Sequence, residues 1–228
     1  MDALVWLACG WLAYAALHSA LAALVIKRRL AHHLPGFAPY YRLAYNGLAT
    51  ILLLPLLWAT WALPGEWLWR WTGGWAWLAN GLALAALAGF LFSGGSYDMG
   101  EFLGLTPLRE KRRDAAEHDG FRLSPLHRHV RHPWYFLGLV LIWTRDMNGP
   151  LLVSALAITL YFVIGSRLEE RKLEAHFGTA YRAYRERVPG LVPLPWKSLP
   201  ADEAAALVQR TKEDGQKAAA PRGRRQVQ

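Results

Sequence analysis

The chain has 228 residues, 54% of them hydrophobic, and a formal net charge of +9. Its apolar residues are gathered into long runs, which is the pattern of an integral membrane protein and excludes an ordinary soluble domain. The lysines and arginines lie between these runs and in the tail, so they form no separate basic domain of the kind that binds nucleic acid. The single cysteine, Cys9, excludes an intrachain disulfide and a zinc site built from several thiolates.

Five apolar runs are predicted to enter the membrane as helices, so the expected fold class is all-α with about five transmembrane helices. The predicted spans are 3–26, 43–63, 74–92, 129–144 and 150–166. A helix rises about 1.5 Å per residue, so the first run covers about 36 Å, against about 30 Å for a bilayer core. The fourth run is short, and we expect it to form a hairpin with the fifth.

The basic residues of the connecting segments predict an orientation. The connectors after the first and third runs carry four and seven lysines and arginines, whereas the alternate connectors carry only Arg70 and Arg145. Loops rich in positive charge stay on the cytoplasmic side. We therefore expect the amino terminus outside and the carboxyl terminus in the cytoplasm.

A polar helix is predicted directly after the last span, over residues 167–187. Its apolar residues recur every three or four positions and form one face, which comprises Leu173, Phe177, Tyr181, Tyr184 and Val188. Gly178 is the expected point of interruption. Residues 197–228 are predicted to be a disordered, mildly basic tail.

Two polar segments flank the predicted hairpin, and the short turn of the hairpin should bring them to the same membrane face. In the first segment His132 and Tyr135 are three residues apart, so they point the same way on a helix, and Gly138 clears space one turn further on. In the second, Glu169 and Glu170 lie near a membrane boundary, where carboxylates are costly unless paired or functional.

This combination of side chains suits a zwitterionic cofactor that carries ribose hydroxyls and a sulfonium, because carboxylates can hold the hydroxyls and aromatic rings attract the cation. A solvated, charge-laced helix explains the two glutamates equally well on pattern alone. The histidines at 127, 129 and 132 resemble a metal motif, but no carboxylate or cysteine is placed to complete it, so no metal is expected.

The motif Arg131-His132-Pro133-x-Tyr135-x-x-Gly138, followed by Glu169-Glu170, Phe177-Gly178 and Val188-Pro189, resembles the isoprenylcysteine carboxyl methyltransferase superfamily. That superfamily also contains bacterial methanethiol S-methyltransferase-like proteins and phospholipid N-methyltransferases. The likeness is strongest from Ser124 to Pro195. Departures at residues 125–127 and at Gly190 leave the acceptor open.

The resemblance implies S-adenosylmethionine as cofactor, a small or lipophilic acceptor (a thiol or a carboxylate) and a place in a bacterial inner membrane. The implied cofactor-binding residues are His132, Tyr135, Gly138, Glu169 and Glu170. It also implies that Arg131 and Arg187 act on the substrate side as catalytic residues.

Two other classes remain open from the sequence. A nicotinamide-dependent membrane reductase has a related architecture, although the small size and the Glu-Glu motif disfavour it. A non-catalytic accessory protein would keep the fold and tolerate loss of Arg131, His132 and Glu170.

Polar residues also interrupt the first two spans. His18 and Ser19 lie in the first, and Asn46 lies early in the second. Interhelical hydrogen bonding is the common role for serine and asparagine there, and His18 is a candidate for the substrate side.

Overall fold

The computed structural model describes residues 2–95, 98–112 and 121–219, with side chains as far as Thr211. This part of the chain is mainly helical. Its α-helices are α1 (Asp2–Ala22), α2 (Leu24–His33), α3 (Tyr41–Ala62), α4 (Gly73–Gly94), α5 (Met99–Leu103), α6 (Leu105–Arg109), α7 (Pro133–Trp143), α8 (Gly149–Arg187) and α9 (Ala201–Ala219). Two 3₁₀-helices cover Ala38–Tyr40 and Pro125–Arg128, and the short strands β1 (Trp67–Trp69) and β2 (Met147–Asn148) pair antiparallel.

The all-α membrane class is confirmed. Among the described residues, four helical segments are long and apolar enough to cross a bilayer: α1, Ala38–Ala62, α4 and α8. The fourth predicted span is the shorter apolar helix α7, whose 11 residues extend about 16 Å. The first predicted span is divided, because Ala23 takes an extended conformation (ψ 132°) between α1 and the basic helix α2.

The predicted start of the fourth helix at residue 129 is wrong. Helix α7 begins at Pro133, and residues 129–132 directly before it are not helical. A proline disfavours helical backbone in the residue that precedes it and suits the first helical position, where no N–H partner is needed.

The chain divides into two units, the first formed by Met1–Glu117 with Leu137–Ile164 and the second by His118–Phe136 with Gly165–Gln228. In the first unit the spans are joined by buried hydrogen bonds on Ser154 of α8. The Trp11 indole donates to Ser154 Oγ at 2.8 Å, and the Thr60 hydroxyl lies 2.6 Å from the same oxygen. These bonds fix α1, α3 and α8 to one another where lipid offers no polar partner.

The second unit has its own apolar core. The predicted apolar face is confirmed: Tyr181, Tyr184 and Val188 are buried in this core, with Leu173 and Phe177 packed against it. Gly178 interrupts the helix as predicted, with a φ of 55° that favours glycine. The kink at this glycine separates the polar end of α8 from the part that begins in the membrane span.

The prediction of a disordered tail over 197–228 is wrong for its described part. Residues 201–219 form α9, and Leu199 and Ala204 are buried in the core of the second unit. Leu207 and Val208 pack against the same core, so three positions at helical spacing, 204, 207 and 208, make an apolar face. Residues 220–228 lie outside the described residues.

Candidate functional site

The segment before α7 is held by the segment after α8, within the second unit. The backbone N–H of Arg131 donates to the carbonyl of Pro189 at 2.8 Å, and that of His132 donates to the carbonyl of Gly190 at 3.1 Å. These two bonds help to explain why the chain is not helical directly before Pro133, because its amides are already satisfied outside a helix. They set the positions from which the Arg131 and His132 side chains extend.

Arg131 holds Glu170 through several charged hydrogen bonds. Its Nε and Nη2 lie 2.9 and 2.7 Å from the same carboxylate oxygen, Glu170 Oε1. Its Nη1 donates to the carbonyl of Arg185 at 3.0 Å and also to the carbonyl of Val188. Both side chains of the ion pair are nearly buried, with 12% and 13% of their surface exposed. The guanidinium of Arg131 is therefore engaged on all three nitrogens.

His132 is placed between the two predicted carboxylates. Its Nε2 is 3.1 Å from Glu170 Oε1 and its Nδ1 is 3.5 Å from Glu169 Oε2. Its ring stacks on Tyr135, with centroids 5.3 Å apart and planes 10° from parallel, and the Tyr135 hydroxyl donates to Glu169 Oε2 at 3.3 Å. The structure thus brings together His132, Tyr135, Glu169, Glu170 and Arg131 in one cluster, here called the His132 cluster.

The charges of the His132 cluster support one another. Burial favours the neutral imidazole, but hydrogen bonds to Glu169 and Glu170 outweigh it and raise the pKa of His132. Glu170 follows the apolar part of α8. Burial favours its neutral carboxyl form, but hydrogen bonds from His132 and Arg131 outweigh burial and hold the pKa of the carboxyl below its usual value. The two carboxylates therefore favour the protonated form of His132 by more than burial disfavours it.

Glu169 differs from its neighbour in exposure. Half of its side chain is exposed, whereas Glu170 is almost buried. An ionised carboxylate has about four lone-pair sites, so Glu169 can accept further hydrogen bonds besides those from Tyr135 and His132. It is the member of the cluster best suited to hold the hydroxyl or amino groups of a ligand.

Two predicted site residues have their described contacts elsewhere. Arg187 forms an ion pair with Glu203 of α9, and both side chains are close to half exposed. Gly138 belongs to the first unit, where an added Cβ would lie 3.1 Å from the Phe162 ring. The described contact of Arg187 is with Glu203 and not with the His132 cluster, and the roles of Arg187 and Gly138 at a site stay predictions.

Two residues that the sequence analysis named, without assigning them to the site, lie beside the cluster. Gly190 leaves room for the Arg131–Glu170 pair, since a Cβ there would lie 3.3 Å from Arg131 Nη2 and 3.8 Å from Glu170 Oε1. His127 accepts at Nδ1 from the Ser124 amide at 3.2 Å. Burial, followed by the charge of His132, lowers the pKa of His127 to about 4. The Val-Pro-Gly sequence after α8 is a turn signal, and it is the sequence feature that indicates the close approach at Gly190.

Known proteins that resemble the chain share one activity in their names. Methanethiol S-methyltransferase 2 of Bradyrhizobium diazoefficiens is 35% identical over 185 residues, which are 79% of this chain and 69% of that protein. The methanethiol S-methyltransferase of Pseudomonas sp. (strain GM41(2012)) is 32% identical over 190 residues, which are 79% of this chain and 69% of that protein. The methanethiol S-methyltransferase of Pseudomonas deceptionensis is 40% identical over 119 residues, which are 51% of this chain and 43% of that protein. No family model matches the chain, and no solved structure matches it.

The membrane fold and these relatives together define the class of the protein, an integral membrane methyltransferase. More specifically, the chain belongs to the methanethiol S-methyltransferase family, consistent with the wider likeness to isoprenylcysteine carboxyl methyltransferases. It is an enzyme that transfers methyl groups, which removes the reductase and accessory alternatives left open by the sequence.

Proposed function

We propose that the protein transfers the methyl group of S-adenosylmethionine to a small thiol, and that the His132 cluster holds the cofactor. The observation that carries this proposal is the half-exposed Glu169, fixed by Tyr135 and His132 next to the Arg131–Glu170 pair. A preorganised carboxylate beside an aromatic ring is complementary to a ligand that has hydroxyls, an amino group and a positive sulfur.

The residues present fit this cofactor. Glu169 has lone pairs for ribose hydroxyls or for the amino group, and the Tyr135 ring offers a π face that attracts the sulfonium. When bound, the cofactor supplies an electrophilic methyl group. The protein has to orient the acceptor in line with it and exclude water, which requires no metal.

The two arginines take different proposed roles. Arg131 donates to Glu170 and to two backbone carbonyls, so we assign it to positioning Glu170 and His132. Arg187 is half exposed and bonded only to Glu203 among the contacts described, so its cation remains suited to stabilise an anionic acceptor. A thiol reacts as the thiolate, for which such a cation is favourable.

The acceptor and the membrane orientation are also proposals. The similar proteins are named for methanethiol, and we propose a small thiol of that kind, reaching the enzyme from the lipid or from water. The bacterial relatives support a place in a bacterial inner membrane. The distribution of basic residues supports an orientation with the amino terminus outside and the carboxyl terminus cytoplasmic.

The direct test is methyl transfer by the purified protein in nanodiscs. With labelled S-adenosylmethionine, methanethiol should become labelled dimethyl sulfide, and Glu169→Gln should lower the rate at least tenfold by weakening donor binding. The matched control is Glu174→Gln, on the same helix but paired with Arg182 and Arg185. Absence of transfer to methanethiol by the folded, unaltered protein would contradict the proposed acceptor.

A further inference from the structure

The segment between α8 and α9 forms a loop that is tied to the rest of the second unit at both ends. At its start, backbone hydrogen bonds join Pro189 and Gly190 to the segment before α7. At its end, the amide of Leu199 donates to the carbonyl of Arg128 at 2.8 Å, and the Leu199 side chain is buried in the core. We call residues 191–198, between these two ties, the Trp196 loop.

The Trp196 loop exposes two large apolar side chains. The amide of Lys197 donates to the carbonyl of Leu194 at 2.9 Å, which closes a tight turn around Pro195 and Trp196. Trp196 is 76% exposed and Val192 is 58% exposed. Because the turn and the two ties fix the backbone, the exposed tryptophan is held at one place on the second unit.

The start of the Trp196 loop lies close to the point where α8 leaves its apolar span. The apolar run ends at Ser166, and Glu170 is four residues further along the helix, which is about 6 Å at 1.5 Å per residue. A Cβ on Gly190 would lie 3.8 Å from Glu170 Oε1, and all three of these residues belong to the second unit. One headgroup layer of a bilayer is about 5–7 Å thick. The loop therefore begins at the level of the lipid headgroups.

We propose that the Trp196 loop is a membrane-interface anchor, and that its partner is the headgroup layer of the bilayer. Tryptophan favours this level because its ring is apolar while its N–H is polar. Val192 adds exposed apolar surface to the same loop. Lys197, exposed next to Trp196, can lay its stem on lipid, keep its ammonium in water and be attracted by anionic headgroups.

The small apolar area of the loop favours lipid over a second copy of the chain as the partner. A buried tryptophan side chain contributes about 150–250 Å² to a contact. A stable protein interface buries at least about 1,200 Å² in total. Trp196 and Val192 together fall well short of that area, whereas a bilayer requires only an amphipathic ring at the correct depth.

An anchor at this place acts on the His132 cluster through the backbone. The carbonyls that accept from the amides of Arg131 and His132 belong to the two residues directly before the loop. Lipid contact at Trp196 therefore holds these two residues at a constant level relative to the headgroups. This role is independent of the ligand that the His132 cluster binds.

Spin labelling of the full chain, in nanodiscs of phosphatidylethanolamine and phosphatidylglycerol, measures the depth of the loop. Cys9→Ser removes the single cysteine, and a nitroxide is then attached in Trp196→Cys or in Val192→Cys. Collisions with oxygen, which concentrates in lipid, are compared with collisions with a water-soluble nickel chelate. Both labels should favour oxygen, and the label at position 196 should lie about 5–10 Å below the lipid phosphates, the depth of interfacial apolar groups. Glu186→Cys, at an exposed charged position of α8, is the control and should favour the chelate.

A second measurement keeps the native indole ring in place. The 12 tryptophans are replaced by 5-fluorotryptophan, and the fluorine resonance that is missing from Trp196→Phe identifies position 196. A spin label on the lipid headgroup should broaden this resonance more than a gadolinium chelate in the water does. The opposite order would contradict the anchor.

Two results of the labelling would overturn the anchor. A label at position 196 that prefers the chelate as strongly as the label at position 186 would place the loop in water. A label shielded from both reagents would show that a protein surface covers the loop. If Trp196→Cys loses the helix content of the unaltered protein, measured by circular dichroism, Val192→Cys and the fluorine measurement decide. Methyl transfer is not a readout of either experiment, so failure of the anchor leaves the proposed function standing.

Discussion

Two nitrogens of Arg131, Nε and Nη2, lie 2.9 and 2.7 Å from the same carboxylate oxygen of Glu170. His132 Nε2 is 3.1 Å from that oxygen as well. Glu170 Oε1 is therefore within hydrogen-bond distance of both the Arg131 guanidinium and the His132 imidazole. These contacts connect the segment before α7 to the part of α8 that follows its apolar span. The second carboxylate, Glu169, is half exposed.

Removing one partner of the Arg131–Glu170 pair should destabilise the protein. Arg131→Met leaves a nearly buried carboxylate without its main partner, which costs about 3–5 kcal/mol. The double variant Arg131→Met with Glu170→Met should recover most of that loss while still failing to bind the methyl donor. Urea unfolding in detergent, followed by tryptophan fluorescence, measures both; additive losses in the double variant would contradict the pairing.

The stability of the second unit should depend on the charge of His132. The pKa of His132 is higher in the folded protein than in the unfolded chain, where it is about 6.5. Protonated His132 therefore makes its full contribution to the free energy of unfolding below about pH 6.5. That contribution is lost as the pH rises through the folded pKa. The unfolding midpoint should fall over this range in the unaltered protein, and His132→Gln should remove this fall. An unchanged pH profile in the variant would be evidence against the charged state.

His127 should act in the opposite direction. The pKa of His127 is lowered to about 4 in the folded protein, against about 6.5 in the unfolded chain. As the pH falls below about 6.5, His127 is therefore protonated in the unfolded chain before it is protonated in the folded protein, which favours unfolding. Stability should decline between these values by about 3 kcal/mol in total. His127→Gln should flatten the acid side of the profile, measured by thermal unfolding in detergent. A decline of the same size in the variant would assign the effect to another group.

A methyl group at position 190 should disturb the site without unfolding the protein. The Cβ of Gly190→Ala would lie 3.3 Å from Arg131 Nη2, closer than ordinary contact, so the guanidinium has to shift. We expect affinity for S-adenosylhomocysteine to fall about tenfold, or about 1.4 kcal/mol. Gly81→Ala is the control, since a Cβ there meets nothing within 4 Å. Equal affinity in both variants would separate Gly190 from the site.

Helix α9 should contribute to the stability of the second unit through one face only. Ala204→Glu places a charge in the core beside Leu199 and should lower the unfolding free energy by at least about 2 kcal/mol. Ala205→Glu, at the adjacent exposed position, should change it by less than about 0.5 kcal/mol. Indistinguishable unfolding curves would favour the disordered tail that the sequence predicted.

The parts of the fold that the sequence predicted well are those governed by local periodicity. Apolar runs of sufficient length identified the spanning helices, and spacing by three and four identified the face that buries Tyr181 and Tyr184. The encounter of His132 with Glu169 and Glu170 was predictable because a short hairpin constrains both segments.

The parts that were missed depend on contacts distant along the chain. The start of α7 is set partly by bonds from Arg131 and His132 to carbonyls more than fifty residues away, which no local pattern reveals. The partner of Arg187, Glu203, is on α9. The polar composition of α9 led to the prediction of a disordered tail there. The spacing of Ala204, Leu207 and Val208 was the one available signal of that helix.

The central claim is that the His132 cluster binds the methyl donor, and calorimetric titration of detergent-purified protein with S-adenosylhomocysteine tests it most directly. We expect micromolar binding by the unaltered protein, lost or at least tenfold weaker in Glu169→Gln and in His132→Ala, and preserved in Glu174→Gln. Binding of equal strength in all four proteins would place the donor elsewhere. Absence of binding by the folded, unaltered protein would contradict the account as a whole.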